Sequence, residues 1–254
     1  MCSWIALSKS SDCFPGSSAG LALLDGKNLN SVKKAGKVSD LSDKVSSKSI
    51  QGTCGIAHTR WATHGVPNDI NAHPHLDKTR KIALVHNGII ENYQDLKKVL
   101  SKENINCVSD TDSEVLVQLI SLIYNKSKNL SFQDSVRAAL REVVGAYGIA
   151  VICSDFPEMV ISARMGSPLV LGLGDEEYFI ASDASPIIEH TKDVIYLDDG
   201  EMAVLNKNKY YISNIDSKKK FTLSVFSNFV AIFLSSLFWI TFLYSEILFQ
   251  LSES

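Results

Sequence analysis

The stretch His58-Thr59-Arg60-Trp61-Ala62-Thr63-His64-Gly65 (HTRWATHG) brings a guanidinium and two imidazoles directly after an apolar run. A second polar group, the predicted turn His86-Asn87-Gly88, follows the apolar run Lys81–Val85, and five of the six histidines lie between His58 and His86. Thr53–Thr59 and Lys81–Val85 are typical of buried strands, and bond-forming side chains at strand ends favour a ligand site over packing. The sequence therefore predicts a pocket for a small, charged molecule here.

The rest of the chain predicts helices in the middle and short strands after them. Thr111 and Glu114 form a capping-box pattern that places Asp112 in the first turn of a helix. Strands with few helices between them favour antiparallel sheets, and clustered helices favour the α+β class, with sheet layers covered by helices. The other predicted elements are strands at 4–7, 19–24, 147–152, 160–164, 169–173, 178–181, 194–197, 202–205 and 210–212, helices from Asn92 and from Ser131 to Gly145, and a polar surface connection with one short helix at 27–49.

Composition and charge exclude several classes of protein. The chain has 254 residues, of which 45% are hydrophobic and 21% charged, as in an ordinary globular protein. A net charge of -3 and the lack of a dense basic block through residue 215 argue against a nucleic-acid partner. Five widely spaced cysteines without a C-x-x-C pair, and no signal peptide pattern, favour the reducing cytoplasm.

Residues 216–254 differ in character from the predicted domain at 1–215. The segment 221–245 contains no charged residue, and Lys218-Lys219-Lys220 precedes it. By length and polarity it is a candidate C-terminal membrane anchor with a cytosolic domain before it. We favour the other interpretation, a tail that is not native to the domain and arises from an aberrant gene model or transcript, since composition satisfies the membrane criterion equally well in both cases.

Cys2 is a candidate nucleophile. A small residue at position 2 permits removal of the initiator Met, which would leave an amine and a thiol on the same residue. The α-amine, with an ordinary pKa of about 8, can act as general base for its own thiol near neutral pH. Alternatively, Cys2 is incidental, as most isolated cysteines are structural.

Three further candidates describe a site for an α-amino acid. The planar guanidinium of Arg60 can clamp both oxygens of a carboxylate, and Asp112 can accept bonds from an α-ammonium group. Asn87 and Gly88 offer a side-chain amide and a backbone N–H, the donor types of an oxyanion hole. The alternatives are a surface ion pair for Arg60, a helix-terminus residue for Asp112 and a simple turn for Asn87-Gly88.

The histidines also admit a metal site. His73-Pro74-His75 together with His58, His64 or His86 could supply three imidazoles. The usual ligand spacings are absent and no carboxylate lies beside these residues, so neither a metal nor an organic cofactor is expected.

Several motifs resemble one family. The chain is similar to the glutaminase domain of the glutamine–fructose-6-phosphate aminotransferases over residues 17 to 207, and it shares the Cys, Arg, Asn-Gly and Asp pattern of other class II glutamine amidotransferases. The matching stretches are GIAHTRWATHGVPNDINAHPH at 55–75, VHNGIIENY at 85–93, SDTDSEV at 109–115, GAYG at 145–148, ARMGSPLVLGLG at 163–174 and FIASD at 179–183.

The resemblance implies an N-terminal nucleophile hydrolase fold, an αββα sandwich of antiparallel sheets, and glutamine as substrate. Matching positions imply that Cys2 attacks the glutamine amide and that Asn87 and Gly88 stabilise the oxyanion. The products would be glutamate and ammonia. The matching positions also imply a substrate pocket. Its residues would be Arg60, Trp61, Thr63, His64 and Asp112.

The chain departs from the family pattern at its start. It has Cys2-Ser3-Trp4 where the family has Cys-Gly-Ile, and residues 8–16 replace a helix and a Tyr-Arg-Gly-Tyr-Asp stretch. The sugar isomerase domains that follow in the family, and that use the ammonia, are not in this chain. Two hypotheses follow: a glutaminase domain acting through a Cys2 thioester, or an inactive glutamine-binding or regulatory fragment, membrane-anchored if 221–245 is an anchor.

Overall fold

A computed structural model describes residues 5–7, 17–48, 51–61, 66, 68–127, 129–207, 209–216 and 221–224, with backbone only for 5–7, 61 and 221–224. The helices are α1 Val38–Ser46, α2 Tyr93–Lys102, α3 Asp112–Lys126 and α4 Phe132–Arg141. The strands are β1 Ile5–Leu7, β2 Ser17–Asp25, β3 Asn28–Ala35, β4 Cys54–Trp61, β5 His75–Leu76, β6 Ile82–Ile90, β7 Gly145–Cys153, β8 Phe156–Met165, β9 Val170–Leu173, β10 Tyr178–Ala181, β11 Val194–Tyr196, β12 Glu201–Asn206, β13 Lys209–Asn214 and β14 Phe221–Ser224.

The strands form two sheets that pack face to face. Sheet A has the order β11-β9-β10-β1-β4-β2-β3, and sheet B has the order β14-β13-β12-β8-β7-β6-β5. Apolar side chains of both sheets, such as Ile56 of β4 and Val85 of β6, form one core between them. Because side chains alternate along a strand, Ile82 and Leu84 point to the opposite face of sheet B and pack under the helices.

The helices cover the two outer faces. Leu96 of α2, Leu116 of α3 and Val136 of α4 belong to the core on the outer face of sheet B. On sheet A, Leu41 of α1 packs against Ala19 and Val32 of β2 and β3. The result is a four-layered arrangement of helix, sheet, sheet and helix.

Strand pairing agrees with the predicted antiparallel sheets except at β1. β2 pairs antiparallel with β3 and β4, and β6 pairs antiparallel with β5 and β7. β1 is inserted parallel to both β4 and β10.

Two local predictions were wrong. His86-Asn87-Gly88 is not a turn after a strand, because β6 continues to Ile90 and pairs with β7 along its whole length. Residues 27–49 contain β3 as well as α1. β3 is an edge strand whose side chains are mostly polar and partly exposed, with Val32 alone buried, so hydrophobic alternation did not reveal it.

The start of α3 is tied to the preceding loop. Thr111 caps the helix by accepting a hydrogen bond from Glu114 N (3.3 Å). The Glu114 carboxylate accepts from Val108 N (3.0 Å) and Ser109 N (2.5 Å), not from the N-cap residue as a capping box would have it. These contacts fix the loop from which Asp112 projects.

The structure describes only the beginning of the predicted membrane segment. Phe221–Ser224 forms β14, which pairs antiparallel with β13 at the edge of sheet B. The remainder of 221–245 lies outside the described residues. Within the parts of the chain that are described, the helices are all too short or too polar to cross a membrane.

Candidate active site

The polar end of β4 projects into the space between the sheets. Cys54 and Ile56 belong to the core there, and the period of two places His58 and Arg60 on the same face. His58 is 5% exposed and Arg60 is 7% exposed. The interior strand β4 therefore places the His58 imidazole and the Arg60 guanidinium at the rim of the core.

The facing strand, β6, supplies the partner of His58. Nε2 of His58 lies 2.9 Å from Oδ1 of Asn87, so a hydrogen bond joins the two sheets. Burial lowers the pKa of His58 to about 4, despite the opposing effect of this bond. His58 is therefore neutral at physiological pH, and the amide oxygen of Asn87 is occupied.

Gly88, the next residue on β6, has a backbone conformation that suits glycine alone. Its φ is +131°, and a Cβ atom built on it would lie 2.0 Å from the carbonyl oxygen of Ala146 on β7. A side chain would therefore have to separate β6 from β7. The close approach keeps the backbone beside Asn87 free of any Cβ.

We expect Gly88→Ala to destabilise the domain by about 3 kcal/mol, because positive-φ strain adds to the clash with Ala146. The measurement is the free energy of unfolding in urea. Gly26→Ala is the matched control, since Gly26 also has a positive φ of +53° but no atom within 4 Å of its Cβ position. Equal losses in the two variants would show that the contact with Ala146 is unimportant.

Asp112 connects α3 to the end of β6. Its Oδ2 accepts a hydrogen bond from Ile90 N (2.8 Å), and its Oδ1 accepts one from the Ser113 hydroxyl (3.3 Å). The side chain remains 17% exposed. Burial lowers the pKa of Arg60, and the charge of Asp112 opposes that shift, so a cation and an anion coexist at this site.

Three more histidines pack around His58. The rings of His58 and His73 are 4.4 Å apart, and those of His73 and His75 are 4.8 Å apart. Ser113 Oγ lies 3.0 Å from His73 Nε2 and 2.9 Å from His86 Nδ1, and His75 Nε2 lies 3.0 Å from Thr111 Oγ1. Burial is the main cause that lowers the pKa of all three, so the cluster is uncharged.

The described histidines are not arranged as metal ligands, and His64 of the predicted set lies outside the described residues. The ring nitrogens of these histidines bond to hydroxyl and amide groups instead of converging on one point. Among the described residues, no three His, Cys, Asp or Glu side chains are grouped so that they could hold a metal ion.

Comparison with known families matches this arrangement to one domain. The family model described as a glutamine amidotransferase domain matches residues 39–222. The chain belongs to this family. The match includes the His58–Arg60 end of β4, the Asn87-Gly88 pair and Asp112, which the structure had brought together.

Curated relatives of this amidotransferase domain carry one name. The chain is 53% identical over 216 residues to a glutamine–fructose-6-phosphate aminotransferase (isomerizing) from Chlorobaculum tepidum, which covers 83% of this chain and 35% of the relative. It is 54% identical over 194 residues to the protein of that name from Bacteroides thetaiotaomicron, covering 76% of this chain and 31% of the relative. The chain thus spans about a third of the length of these relatives.

Solved structures share the fold. A glutamine phosphoribosylpyrophosphate amidotransferase from B. subtilis superimposes with a TM-score of 0.67 at 24% identity, covering 80% of this chain and 43% of that chain. The allosteric regulatory enzyme of purine biosynthesis gives a TM-score of 0.68, also at 24% identity, covering 80% and 44%. The predicted α+β class and the αββα sandwich of sheets are confirmed.

The amidotransferase domain unites only some of the predicted site residues. Arg60, Asn87, Gly88 and Asp112 gather at one end of the sandwich. Trp61 ends β4, and only its backbone is described. The residues that lie outside the described part of the chain are Cys2, Thr63 and His64.

Sequence reasoning missed the residues that support the site. His58 was considered only as a possible metal ligand, although its position two residues before Arg60 puts it on the same strand face. Ser113, which contacts two histidines and Asp112, carried no signal in the sequence beyond its place after Asp112.

β1 approaches the site of the amidotransferase domain with its carboxyl end. Leu7 lies level with His58, whereas Ile5 lies level with Ile56. Ile5 is the described residue nearest in sequence to Cys2. Ile5 is therefore farther from the Arg60 end of β4 than Leu7 is.

Proposed function

We propose that this domain hydrolyses the side-chain amide of glutamine to glutamate and ammonia, with Cys2 as the nucleophile. The observation that carries the proposal is the Asn87-Gly88 pair on β6. His58 occupies the amide oxygen of Asn87, so the amino group is what this side chain can offer a ligand. The adjacent Gly88 is exposed and its backbone carries no side chain. Two neighbouring N–H donors are the requirement of an oxyanion hole.

The charges beside this pair suit the α-amino acid end of glutamine. Arg60 is a buried guanidinium that can hold the α-carboxylate through two parallel bonds. Asp112 is partly exposed and can accept a bond from the α-ammonium group. A substrate held at both charged groups would direct its side-chain amide towards Asn87 and Gly88. Trp61, Thr63 and His64 would complete the pocket.

The reaction divides into two steps. The Cys2 thiolate attacks the amide carbon, and the oxyanion receives hydrogen bonds from the Asn87 amino group and the Gly88 N–H. The Cys2 α-amine, having taken the thiol proton, returns it to the departing ammonia, which leaves a thioester. Water, deprotonated by the same amine, then attacks the thioester carbon; the C–S bond breaks, the Cys2 sulfur recovers the proton from the amine, and glutamate is released. No step requires a metal or an organic cofactor.

The ammonia would serve amination of fructose 6-phosphate, the reaction named for the curated relatives. The matched region is about a third of the length of those relatives. In this proposal the step that uses the ammonia belongs to sugar isomerase domains, which lie outside the matched region. The cysteine pattern favours the cytoplasm as the compartment, and a membrane is involved only if 221–245 is an anchor.

The test is glutamate release from glutamine by the purified full chain beside its Cys2→Ala variant. We expect release by the wild type and loss of at least about a thousandfold in the variant, because the thioester of the proposed mechanism forms on the Cys2 sulfur. Mass spectrometry of the N-terminus checks that Met1 has been removed. Equal rates for the two proteins would overturn the proposal.

A second candidate is a domain that binds glutamine without hydrolysing it. The observation that favours it is the parallel direction of β1, which brings Leu7, and not Ile5, level with His58. Calorimetric binding of glutamine by a wild-type chain that releases no glutamate would support this candidate.

A further inference from the structure

The orientation of the Asn87 amide decides whether this residue can serve as an oxyanion donor. The carbonyl oxygen and the amino group of an asparagine have nearly the same shape, so a half-turn of the amide exchanges them. In one orientation the amino group is available to a ligand. In the other, the oxygen would face a developing negative charge and oppose the reaction.

His58 is the group that distinguishes the two orientations. Its Nε2 lies 2.9 Å from Asn87 Oδ1, and the ring is neutral because burial lowers its pKa to about 4. A neutral imidazole carries one N–H and one acceptor nitrogen. With the proton on Nε2, His58 donates to Asn87 Oδ1, whereas with the proton on Nδ1, Nε2 could only accept from the amino group.

The surroundings of the other ring nitrogen favour the proton on Nε2. Nδ1 of His58 is buried and makes no hydrogen bond to any other residue that the structure describes. The positive charge of Arg60 acts on this ring and disfavours its protonated form. A bare acceptor nitrogen near a cation is stabilised, while a buried N–H donor without an acceptor costs about 1–3 kcal/mol.

The ring of His58 is also fixed in place. Gly20 on β2 is directly opposite His58, and a Cβ atom at Gly20 would lie 2.1 Å from the carbonyl oxygen of His73. The absence of that atom lets the His73 segment approach, and the His73 ring packs 4.4 Å from the His58 ring. His73 is held in turn by Ser113, 3.0 Å from its Nε2.

From this geometry we infer that His58 is a positioning residue, which donates its Nε2–H to Asn87 Oδ1 and so turns the Asn87 amino group towards the substrate carbonyl oxygen. The inference rests on the proposed glutaminase function and adds to it a specific role for His58. It assigns His58 no contact with glutamine. Its effect belongs to the transition state, in which the oxyanion develops.

Two substitutions at His58 separate positioning from packing. His58→Leu keeps an apolar side chain of similar size but removes the donor, so we expect kcat for glutamine hydrolysis to fall about 10- to 100-fold. KM is expected to change less than about threefold, since Arg60 and Asp112 are untouched. His58→Gln retains a side-chain N–H donor and is expected to recover much of kcat.

The matched control is His190→Leu. His190 is exposed and its ring stacks on Phe179, outside the site. We expect this variant to keep the wild-type kcat. An unchanged kcat in His58→Leu would overturn the inference. So would parallel changes in kcat and KM, or a His58→Gln variant as impaired as His58→Leu, because these would indicate a packing role.

A measurement that does not need activity separates this inference from the proposed function. Long-range ¹H–¹⁵N NMR of the full chain identifies which ring nitrogen of His58 carries the proton, and we expect Nε2. Protonation at Nδ1 would overturn the inference even in an active protein. The wild-type chain could also lack glutaminase activity and still carry the proton on Nε2. That result would refute the catalytic role of the site and the positioning role of His58 in catalysis. It would leave the His58–Asn87 contact established.

Discussion

The Arg60→Ala variant is expected to raise KM for glutamine about a hundredfold while the domain remains folded. Arg60 is buried near the carboxyl end of β4, and the charge of Asp112 acts on it. Without the guanidinium, the α-carboxylate of glutamine would be buried and unpaired, and the binding free energy would weaken by about 3 kcal/mol. At 1.4 kcal/mol per tenfold, this corresponds to about a hundredfold in KM.

Steady-state glutaminase kinetics and a urea denaturation curve together test this prediction. Arg60→Lys is the matched variant, because it retains the positive charge but cannot make two parallel bonds, and we expect it to lie between the wild type and Arg60→Ala. If Arg60→Ala is unfolded in native buffer, Arg60 has a structural role. If it is folded and has the wild-type KM, Arg60 does not bind the substrate.

Acidification is expected to unfold the domain, with most of the stability lost between pH 6.5 and pH 4. Four buried histidines, His58, His73, His75 and His86, have pKa values that burial lowers from about 6.5, and the value for His58 is about 4. Below pH 6.5 the unfolded chain takes up protons that the folded chain cannot. Each histidine then costs about 1.4 kcal/mol per pH unit until its folded pKa is reached.

The sign of this effect follows from the depressed pKa values. Stability contributed by the neutral histidines is fully present above the unfolded pKa of about 6.5 and decreases as pH falls towards the folded values. Four such groups can remove several kcal/mol by pH 5, which is comparable to the total stability of an ordinary domain. The positive charge of Arg60 contributes to the low pKa values of His58, His73 and His75.

The measurement is the free energy of unfolding in urea at intervals from pH 7.5 to pH 4.5. His75→Gln removes one titrating ring and is expected to reduce the slope by about 1.4 kcal/mol per pH unit. His190→Gln removes an exposed histidine and should leave the slope unchanged. A stability that does not change between pH 7 and pH 5 would show that these histidines titrate alike in the folded and unfolded chain.

Local patterns predicted most of the fold. The apolar stripe and the N-cap of α3 were correct because helix periodicity and capping depend on neighbouring residues. β3 was missed because an edge strand needs few apolar side chains. The Asn87-Gly88 pair was taken for a turn because Asn-Gly most often forms one, and only pairing with β7 keeps these residues in β6.

By itself, the sequence predicted the character of the site: a clamp for a carboxylate at Arg60, an acidic partner at Asp112 and two donors at Asn87 and Gly88. These residue types have a chemistry that holds in any fold. Only the tertiary structure decided that His58 on one sheet would bond to Asn87 on the other. Contacts between sheets depend on how two distant strands are stacked, and spacing along the chain does not record that. The same reason applies to β1, whose direction beside β4 was set by pairing between strands and not by its own three residues.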